Sequence, residues 1–199
     1  MIVKICGVTR VEDAEAAVAA GADWIGLNFW PRSRRRVEIA AAEAIAAVVR
    51  VPLVGVFVDQ PPDEIDELRR RVGLTYVQLH GNEDPAACER FAGHYLKALR
   101  VGAAADLAGL GAFPGAHAFL LDTPSEGFGG SGRTWDWSLV AHAPAARFLL
   151  AGGLTAENVA AAVRAAHPWG VDVAGGVESA PGIKDASAMA RFVAAARGS

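Results

Sequence analysis

Short runs of apolar and β-branched residues alternate along the chain with alanine-rich amphipathic segments. The first pair reads IVKIC and VEDAEAAVAAG, and the last reads VDVAGG and ASAMARFVAAA. Between them lie six more strand-like runs, DWIGLNF, PLVGVFV, TYVQLH, YLKALR, HAFLLDT and RFLLAGG. The predicted helical segments after the fourth, fifth and sixth strands read DPAACERF, AAADLAGLGAF and DWSLVAHA. Near-continuous apolar strands, each followed by a helical crossover, are typical of a parallel sheet covered by helices.

Eight strand-plus-helix units can close into a barrel, which leaves no exposed sheet edge. The alternative is an open doubly wound sheet, for which eight strictly alternating units would be a long run. We therefore predict an α/β fold, a single (β/α)8 TIM barrel over residues 1–199. The predicted carboxyl ends of its strands are Cys6, Asn28, Val58, His80, Arg100, Asp122, Gly152 and Ala174.

Composition and charge limit the partners of such a barrel. Of the 199 residues, 52% are hydrophobic, and the formal net charge is −3. This balance indicates neither a nucleic acid nor a membrane surface as partner, and no apolar run approaches the roughly 18 residues of a membrane span. The strand text begins at Ile2, which leaves no room for a signal peptide. We therefore predict a small-molecule partner.

The cysteines indicate a reducing compartment. Cys6 and Cys88 are too few for a disulfide framework and lack the paired spacing of a structural zinc site. The histidines show no metal-ligand spacing either, so no metal is expected. We predict a cytoplasmic protein, with Cys88 as an ordinary packed thiol inside a helix.

In a barrel of this type the active site lies at the carboxyl ends of the strands, so polar residues at those ends are the first candidates. Alternate side chains of a strand point into the barrel, which places Cys6 and Lys4 on the same inner face. A buried ammonium group needs a partner, and Asp172 on the eighth strand neighbours the first strand once the barrel closes. We predict an interior Lys4–Asp172 ion pair. The alternative is that Lys4 reaches the rim and Asp172 caps a turn.

Cys6 and Asp122 could form an acid and base pair across the mouth of the barrel. A thiolate can accept a proton and a carboxylic acid can donate one, provided that their environments adjust the two pKa values. The alternatives are that Cys6 only packs and that Asp122 only caps the turn into Thr123. His80, in QLHG, could hydrogen-bond a substrate or serve a turn.

Two glycine pairs follow the seventh and eighth strands, Gly152–Gly153 in AGGLT and Gly175–Gly176 in AGGVES. Glycine allows close approach of the backbone to a ligand, and the loops after these two strands are the usual phosphate site of the architecture. We predict a phosphate site there, with two tight turns as the alternative.

Two further segments have weaker patterns. Residues 123–135 contain a G-x-G-x-x-G spacing, but the glycines do not follow their strand immediately and no acidic residue closes a second strand, as a dinucleotide site requires. We therefore interpret the segment as a mobile cover over the active site. PRSRRRV, at residues 31–37, follows the second strand, and we expect at least one of its arginines to reach the mouth and bind a carboxylate.

Nine segments carry a resemblance to a known family and are, in order, KICGVT, GADWIG, SRRRV, VGVFV, QLHG, LLDT, GGSGRTWDW, GGLTAENV and GVESAPGIKD. Through them the chain resembles the phosphoribosylanthranilate isomerase family of tryptophan biosynthesis. The resemblance spans nearly the whole chain and implies an Amadori rearrangement of a phosphosugar substrate without a cofactor. It implies that Asp122 is the general acid that opens the ribose ring and that Cys6 is the base. It also implies that Arg35 faces the anthranilate carboxylate and that the glycine loops hold the phosphate.

The chain departs from the family pattern after the eighth strand, where the family usually reads DVSSGVE and this chain reads DVAGGVE. Two hydroxyl groups are therefore replaced at Ala174 and Gly175, and backbone donors would have to bind the phosphate. Asp59 and Trp135 also differ from the family's usual residues. The alternatives are another phosphosugar isomerase that uses two aspartates, and a barrel that binds ligand without turnover. We predict a monomer, with a homodimer as the alternative.

Overall fold

Eight parallel strands form a closed barrel in the computed structural model, which describes residues 1–123, 136–142 and 147–198. Each strand pairs with the next, and the last pairs with the first, so that Lys4 lies opposite Asp172. The predicted barrel is confirmed, and the open doubly wound sheet is wrong. The strands are β1 (Ile2–Cys6), β2 (Trp24–Asn28), β3 (Leu53–Phe57), β4 (Tyr76–Leu79), β5 (Tyr95–Arg100), β6 (Ala118–Asp122), β7 (Phe148–Leu150) and β8 (Gly170–Val173).

The helices that follow the strands cover the outside of the barrel. The α-helices are α1 (Val11–Ala19), α2 (Ile39–Val48), α3 (Pro62–Val72), α4 (Pro85–Cys88), α5 (Val159–Ala166) and α6 (Ala186–Arg197). Shorter 3₁₀ helices are Glu89–Phe91, Ala104–Ala112, Trp137–His142 and Gly175–Val177. Among the residues that the structure describes, no helix is both long and apolar enough to cross a bilayer.

The sequence of α3 accounts for both of its ends. Pro62 is the first helical residue, where its fixed φ suits a helix and its missing N–H is not needed. Gly73 ends the helix with a φ of 74°, the left-handed conformation that glycine adopts without strain. Acidic residues in the first turn and arginines in the last turn complement the helix dipole.

Three of the predicted helices differ from the structure. The segments after β5 and β6 form 3₁₀ helices instead of amphipathic α-helices, and the α-helix after β4 is only one turn long. Gly109 and Gly111 weaken any α-helix in the first of these segments. Leu107 and Leu110 are nevertheless buried there, so the segment still covers the sheet.

A short antiparallel hairpin between β8 and α6 was not predicted. It consists of β9 (Glu178–Ala180) and β10 (Ile183–Lys184), joined by a turn in which Gly182 has a φ of 81°. The Pro181–Gly182 dipeptide is a turn signal that could have predicted it. The hairpin brings two charged side chains, Glu178 and Lys184, to the mouth of the barrel.

An aromatic layer closes the amino-terminal end of the barrel. The rings of Trp24 and Tyr76 are 4.9 Å apart between centroids, and Tyr76 stacks on His117 at 4.6 Å. Trp169 packs edge-on against Trp24 at 5.5 Å. These four residues lie at the starts of the even-numbered strands, in agreement with the rule that alternate strands contribute each interior layer.

We expect this layer to make the barrel sensitive to mild acid. Burial, together with the Arg147 charge, lowers the pKa of His117. The unfolded chain therefore binds more protons than the folded protein below pH about 6.5. The contribution of neutral His117 to the free energy of unfolding is complete above that pH and is lost as the pH falls toward the pKa of His117 in the folded protein. Urea unfolding at about pH 8 and pH 5 should show a smaller acid loss for His117→Gln than for the wild type.

The matched control for this measurement is His167→Asn. His167 is exposed at the end of α5 with a φ of 45°, a conformation that asparagine tolerates. It should keep the wild-type dependence of stability on pH. An unchanged dependence in His117→Gln would contradict the assignment.

Candidate active site

Two adjoining cavities open at the carboxyl ends of the strands. One, of 490 Å³, lies against the loops after β7 and β8, and the other, of 270 Å³, extends from β1 to the arginine-rich loop after β2. Both are lined by Arg35, Asp122, Asp172 and Ala174. Because four residues line both, the cavities form the two ends of one site.

The floor of the site is a buried polar group inside the barrel. Lys4 Nζ lies 2.7 Å from Asp172 Oδ1 and donates a second hydrogen bond to Gln78 Oε1 at 2.9 Å. Burial by itself lowers the pKa of Lys4, but the adjacent Asp172 carboxylate and Cys6 together outweigh burial and raise it above the ordinary value. The predicted ion pair is confirmed, and the alternative in which Lys4 reaches the rim is wrong.

Cys6 ends β1 and lines the 270 Å³ cavity. Glycines on both sides make room for it: a Cβ on Gly26 would lie 2.7 Å from the Cys6 sulfur, and Gly7 turns the chain with a φ of 72°. Burial raises the pKa of the thiol, whereas the Lys4 charge opposes that increase. The site therefore holds a protonated thiol next to a cation that favours its ionisation.

Asp122 ends β6 and faces the same cavity. Its Oδ1 accepts a hydrogen bond of 2.7 Å from the Thr123 backbone N–H, so Asp122 does cap the turn into Thr123. Its Oδ2 points to His80, whose Nε2 lies 3.5 Å away. One carboxylate oxygen therefore fixes the side chain, and the other remains directed to the site.

His80 lies beside the acid, where it could also contact a substrate. Its Nδ1 is 2.8 Å from the Nε2 atom of Gln78, the residue that also binds Lys4. Gln78 was not predicted from the sequence. The period-two alternation of a strand could have found it, because Gln78 and His80 are two residues apart and share the inner face.

The mouth contains a second charged group that was only partly predicted. Arg35 forms two hydrogen bonds of 2.8 Å to the carboxylate of Glu178, and Lys184 Nζ lies 2.9 Å from the same carboxylate. Burial opposes ionisation of Glu178, but the two cations outweigh it and lower its pKa. Arg35 reaches both cavities as expected, with Glu178 as a partner that the sequence did not reveal.

The predicted phosphate loops border the 490 Å³ cavity with all four glycines. Gly152 and Gly153 have φ values of 88° and 64°, so these positions need glycine for the turn itself. A Cβ on Gly176 would overlap the carbonyl oxygen of Leu154, which shows how closely the two loops approach. The interpretation as tight turns is therefore correct for the backbone, and it is compatible with a site for an anion.

Within the part of the chain that the structure describes, no three histidine, cysteine or carboxylate side chains are grouped so that they could hold a metal ion. Both cysteines are free and buried, and Cys88 lies in α4 as predicted for a packed thiol. The predicted cover, at residues 123–135, lies outside the described residues except for Thr123. The mouth contains side chains suited to acid–base chemistry.

Comparison with known proteins agrees with this geometry. The family model described as N-(5'phosphoribosyl)anthranilate (PRA) isomerase matches residues 3–195. An N-(5'-phosphoribosyl)anthranilate isomerase of Myxococcus xanthus is 50% identical over 98% of this chain and 95% of its own length. The crystal structure of phosphoribosyl anthranilate isomerase from Thermotoga maritima superposes with a TM-score of 0.91 at 38% identity, with all of both chains covered.

A further solved structure includes a ligand. It is a phosphoribosyl anthranilate isomerase in complex with reduced 1-(o-carboxyphenylamino)-1-deoxyribulose 5-phosphate, with a TM-score of 0.88, 35% identity and all of both chains covered. The match covers the strands that supply Cys6, Asp122 and the glycine loops. The chain belongs to the N-(5'-phosphoribosyl)anthranilate isomerase family.

Proposed function

We propose that this barrel performs its family's reaction by general acid–base catalysis, with Asp122 as the acid and Cys6 as the base. The reaction is the isomerisation of N-(5'-phosphoribosyl)anthranilate to 1-(2-carboxyphenylamino)-1-deoxyribulose 5-phosphate, a step of tryptophan biosynthesis. The observation that carries the assignment is the presence of a carboxyl group and a thiol, at the ends of β6 and β1, on one cavity. No cofactor takes part.

The two steps need a proton donor and a proton acceptor on the same sugar. Asp122 gives its proton to the ribose ring oxygen while the C1–O bond breaks, which leaves a protonated Schiff base between C1 and the anthranilate nitrogen. Cys6 then removes the proton from C2, and the electrons of that bond form an enolamine that becomes the aminoketose. Each transfer requires a group within hydrogen-bond reach, directly or through one water molecule.

The two cavities suggest how the substrate lies between these groups. The phosphate would occupy the 490 Å³ cavity, where Gly152, Gly153, Gly175 and Gly176 present backbone N–H groups that donate no hydrogen bond to any other residue the structure describes. Such groups bind phosphate without a side chain. They would also replace the hydroxyl groups absent at Ala174 and Gly175. The anthranilate ring would occupy the 270 Å³ cavity beside Trp30 and Arg35.

Arg35 is proposed to bind the anthranilate carboxylate. Glu178 holds its Nε and one terminal nitrogen, so the guanidinium group is fixed in place while its remaining nitrogen is available. We expect Arg35→Met to raise KM by about 10- to 150-fold, as loss of a hydrogen bond to a charged group does, and to change kcat little. Steady-state kinetics measures both constants.

The control for Arg35→Met is Arg36→Met, which removes an exposed neighbour whose nitrogen lies 3.6 Å from Glu38. It should leave both constants unchanged. A large fall in kcat at constant KM in Arg35→Met would mean that Arg35 acts on the reacting atoms instead of the substrate carboxylate.

Turnover of substrate is the test of the function as a whole. N-(5'-phosphoribosyl)anthranilate is generated in situ, and its consumption by the purified chain is followed by the change in anthranilate-type fluorescence. We expect saturable turnover and formation of the aminoketose phosphate. Binding of a product analogue without any turnover would instead identify a barrel that binds ligand but is catalytically silent.

The remaining predictions concern assembly and location. We propose a small phosphosugar as the only partner required for activity, and a monomer in preference to a homodimer. Two free, buried cysteines agree with the proposed cytoplasmic location, because neither thiol is used in a disulfide. Measurement of mass in solution by light scattering distinguishes the monomer from the dimer.

A further inference from the structure

A series of four polar side chains in contact with one another runs through the barrel, from Lys4 at the floor of the site to Asp122. Lys4 donates to Gln78 Oε1 at 2.9 Å, Gln78 Nε2 lies 2.8 Å from His80 Nδ1, and His80 Nε2 lies 3.5 Å from Asp122 Oδ2. Lys4 and Gln78 are 0% and 1% exposed. Water therefore has little access to these groups, and each hydrogen bond depends on its protein partner.

Lys4 determines which atom donates and which accepts in each hydrogen bond of this series. An ammonium group only donates, so the Gln78 atom that faces it has to be the amide oxygen. The amide nitrogen of Gln78 then faces His80, and an amide nitrogen also only donates. His80 Nδ1 must accept, so it carries no proton. The ring is therefore neutral, with its single proton on Nε2, the atom that points to Asp122.

We propose that Gln78 is a positioning residue that holds His80 as a neutral Nε2–H donor to Asp122 during catalysis. This proposal rests on the proposed role of Asp122 as the general acid. Gln78 does not need to touch the substrate. It acts through His80, whose ring orientation and proton position it fixes by one hydrogen bond, while Lys4 fixes the orientation of Gln78.

A neutral donor suits the chemistry of Asp122. When the carboxylic acid gives its proton to the ring oxygen, a negative charge develops on the carboxylate, and the His80 N–H can stabilise that charge without transferring a proton. A positively charged His80 would instead hold Asp122 as a carboxylate before the reaction, with no proton to give. The separation of 3.5 Å is longer than a formed hydrogen bond, and such contacts often shorten when substrate binds.

Gln78→Glu tests this proposal with almost no change in shape. A carboxylate can still accept from Lys4, but it cannot donate to His80. Nδ1 then has to donate, so either Nε2 loses its proton or the ring becomes charged. We expect kcat to fall by about 10- to 100-fold, the size of one hydrogen bond to a charged group, with little change in KM. Gln78→Met, which can neither donate nor accept, should give a smaller fall.

The proton position can be measured without substrate. Nitrogen-15 NMR of histidine-labelled protein distinguishes a bare ring nitrogen from a protonated one, and the His80 signals are those absent in His80→Gln. We expect a bare Nδ1 and a protonated Nε2 in the wild type, and a protonated Nδ1 in Gln78→Glu. A protonated Nδ1 in the wild type would overturn the proposal even if the chain is fully active.

The same variants separate positioning from general damage to the fold. In the His80→Gln background, adding Gln78→Glu should cause little further loss of kcat, because the residue through which Gln78 acts is already absent. An equal loss in both backgrounds would show that Gln78 only supports the barrel and would overturn the proposal. Failure of the proposed role of Asp122 has a different signature: Asp122→Asn keeps the wild-type kcat, while the wild-type protein still shows a bare Nδ1 and a protonated Nε2 on His80.

Discussion

Replacing Asp122 with asparagine or Cys6 with alanine is expected to lower kcat by about 10²- to 10⁴-fold, the range of a general acid or base. Asparagine retains the oxygen that accepts the Thr123 N–H, so it preserves the turn and removes only the proton that can be donated. Alanine leaves the floor of the site in place, because Lys4 keeps Asp172 and Gln78 as partners. Steady-state kinetics with substrate generated in situ gives kcat for each variant.

Cys88→Ala is the matched control for the thiol. Cys88 is buried, as Cys6 is, but it lies in α4, on the outside of the barrel. Its replacement should leave kcat at the wild-type value. A Cys6→Ala variant that is as active as Cys88→Ala would exclude Cys6 as the base and leave it as a packing residue.

The activity should also increase with pH above neutrality. Burial raises the pKa of Cys6, and Lys4 and Lys184 oppose burial without cancelling it. Cys6 is therefore a thiol at pH about 7, and only its thiolate can remove the C2 proton, so kcat/KM should increase as the thiol ionises. The control is the rate of alkylation of Cys6 without added substrate, which should increase over the same pH range.

Replacing Asp172 with leucine is expected to lower the free energy of unfolding by about 3–5 kcal/mol. The Lys4 ammonium group is completely buried, and Asp172 is its only charged partner within salt-bridge distance among the described residues. Removal of Asp172 leaves a buried positive charge beside two uncharged groups, the Gln78 amide and the Cys6 thiol. Urea unfolding followed by tryptophan fluorescence measures the difference.

Two further variants identify the cause of that loss. Glu43→Gln breaks an exposed ion pair with Arg71 and should leave the unfolding midpoint close to that of the wild type. Lys4→Met combined with Asp172→Leu removes both charges and should recover part of the stability. If the double variant is no more stable than Asp172→Leu, the loss arises from packing and not from the unpaired charge.

The strands of the barrel could be predicted because each one is marked by a local feature of the sequence. Each strand is a short apolar run. Of the eight predicted carboxyl ends, four agree with the structure, namely Cys6, Asn28, Arg100 and Asp122. The other four extend one or two residues too far. The helices after β5 and β6 could not be predicted as 3₁₀ helices, because apolar residues recur every three or four positions in both helix types and packing against the sheet selects between them.

The candidate site was predictable where a residue's place on a strand determines its direction. Lys4 and Asp172 were paired from strand parity and barrel closure, and the ion pair is confirmed. Glu178 was missed because the hairpin that carries it returns to the mouth, and its partner Arg35 lies 143 residues away in sequence. Contacts of that kind depend on the path of two loops in space, which no local pattern specifies.

By itself the sequence determined the order of the elements. It also determined the inward face of each strand, which follows from the alternation of side chains, and the residue types at the mouth, which follow from the positions of the strand ends. Only the tertiary structure decided which donor meets which acceptor. Gln78 shows the difference: its position in QLH places it inside the barrel, but its role depends on Lys4 reaching it from the first strand. The direction of a hydrogen bond depends on both partners, and folding brings these two together from 74 residues apart.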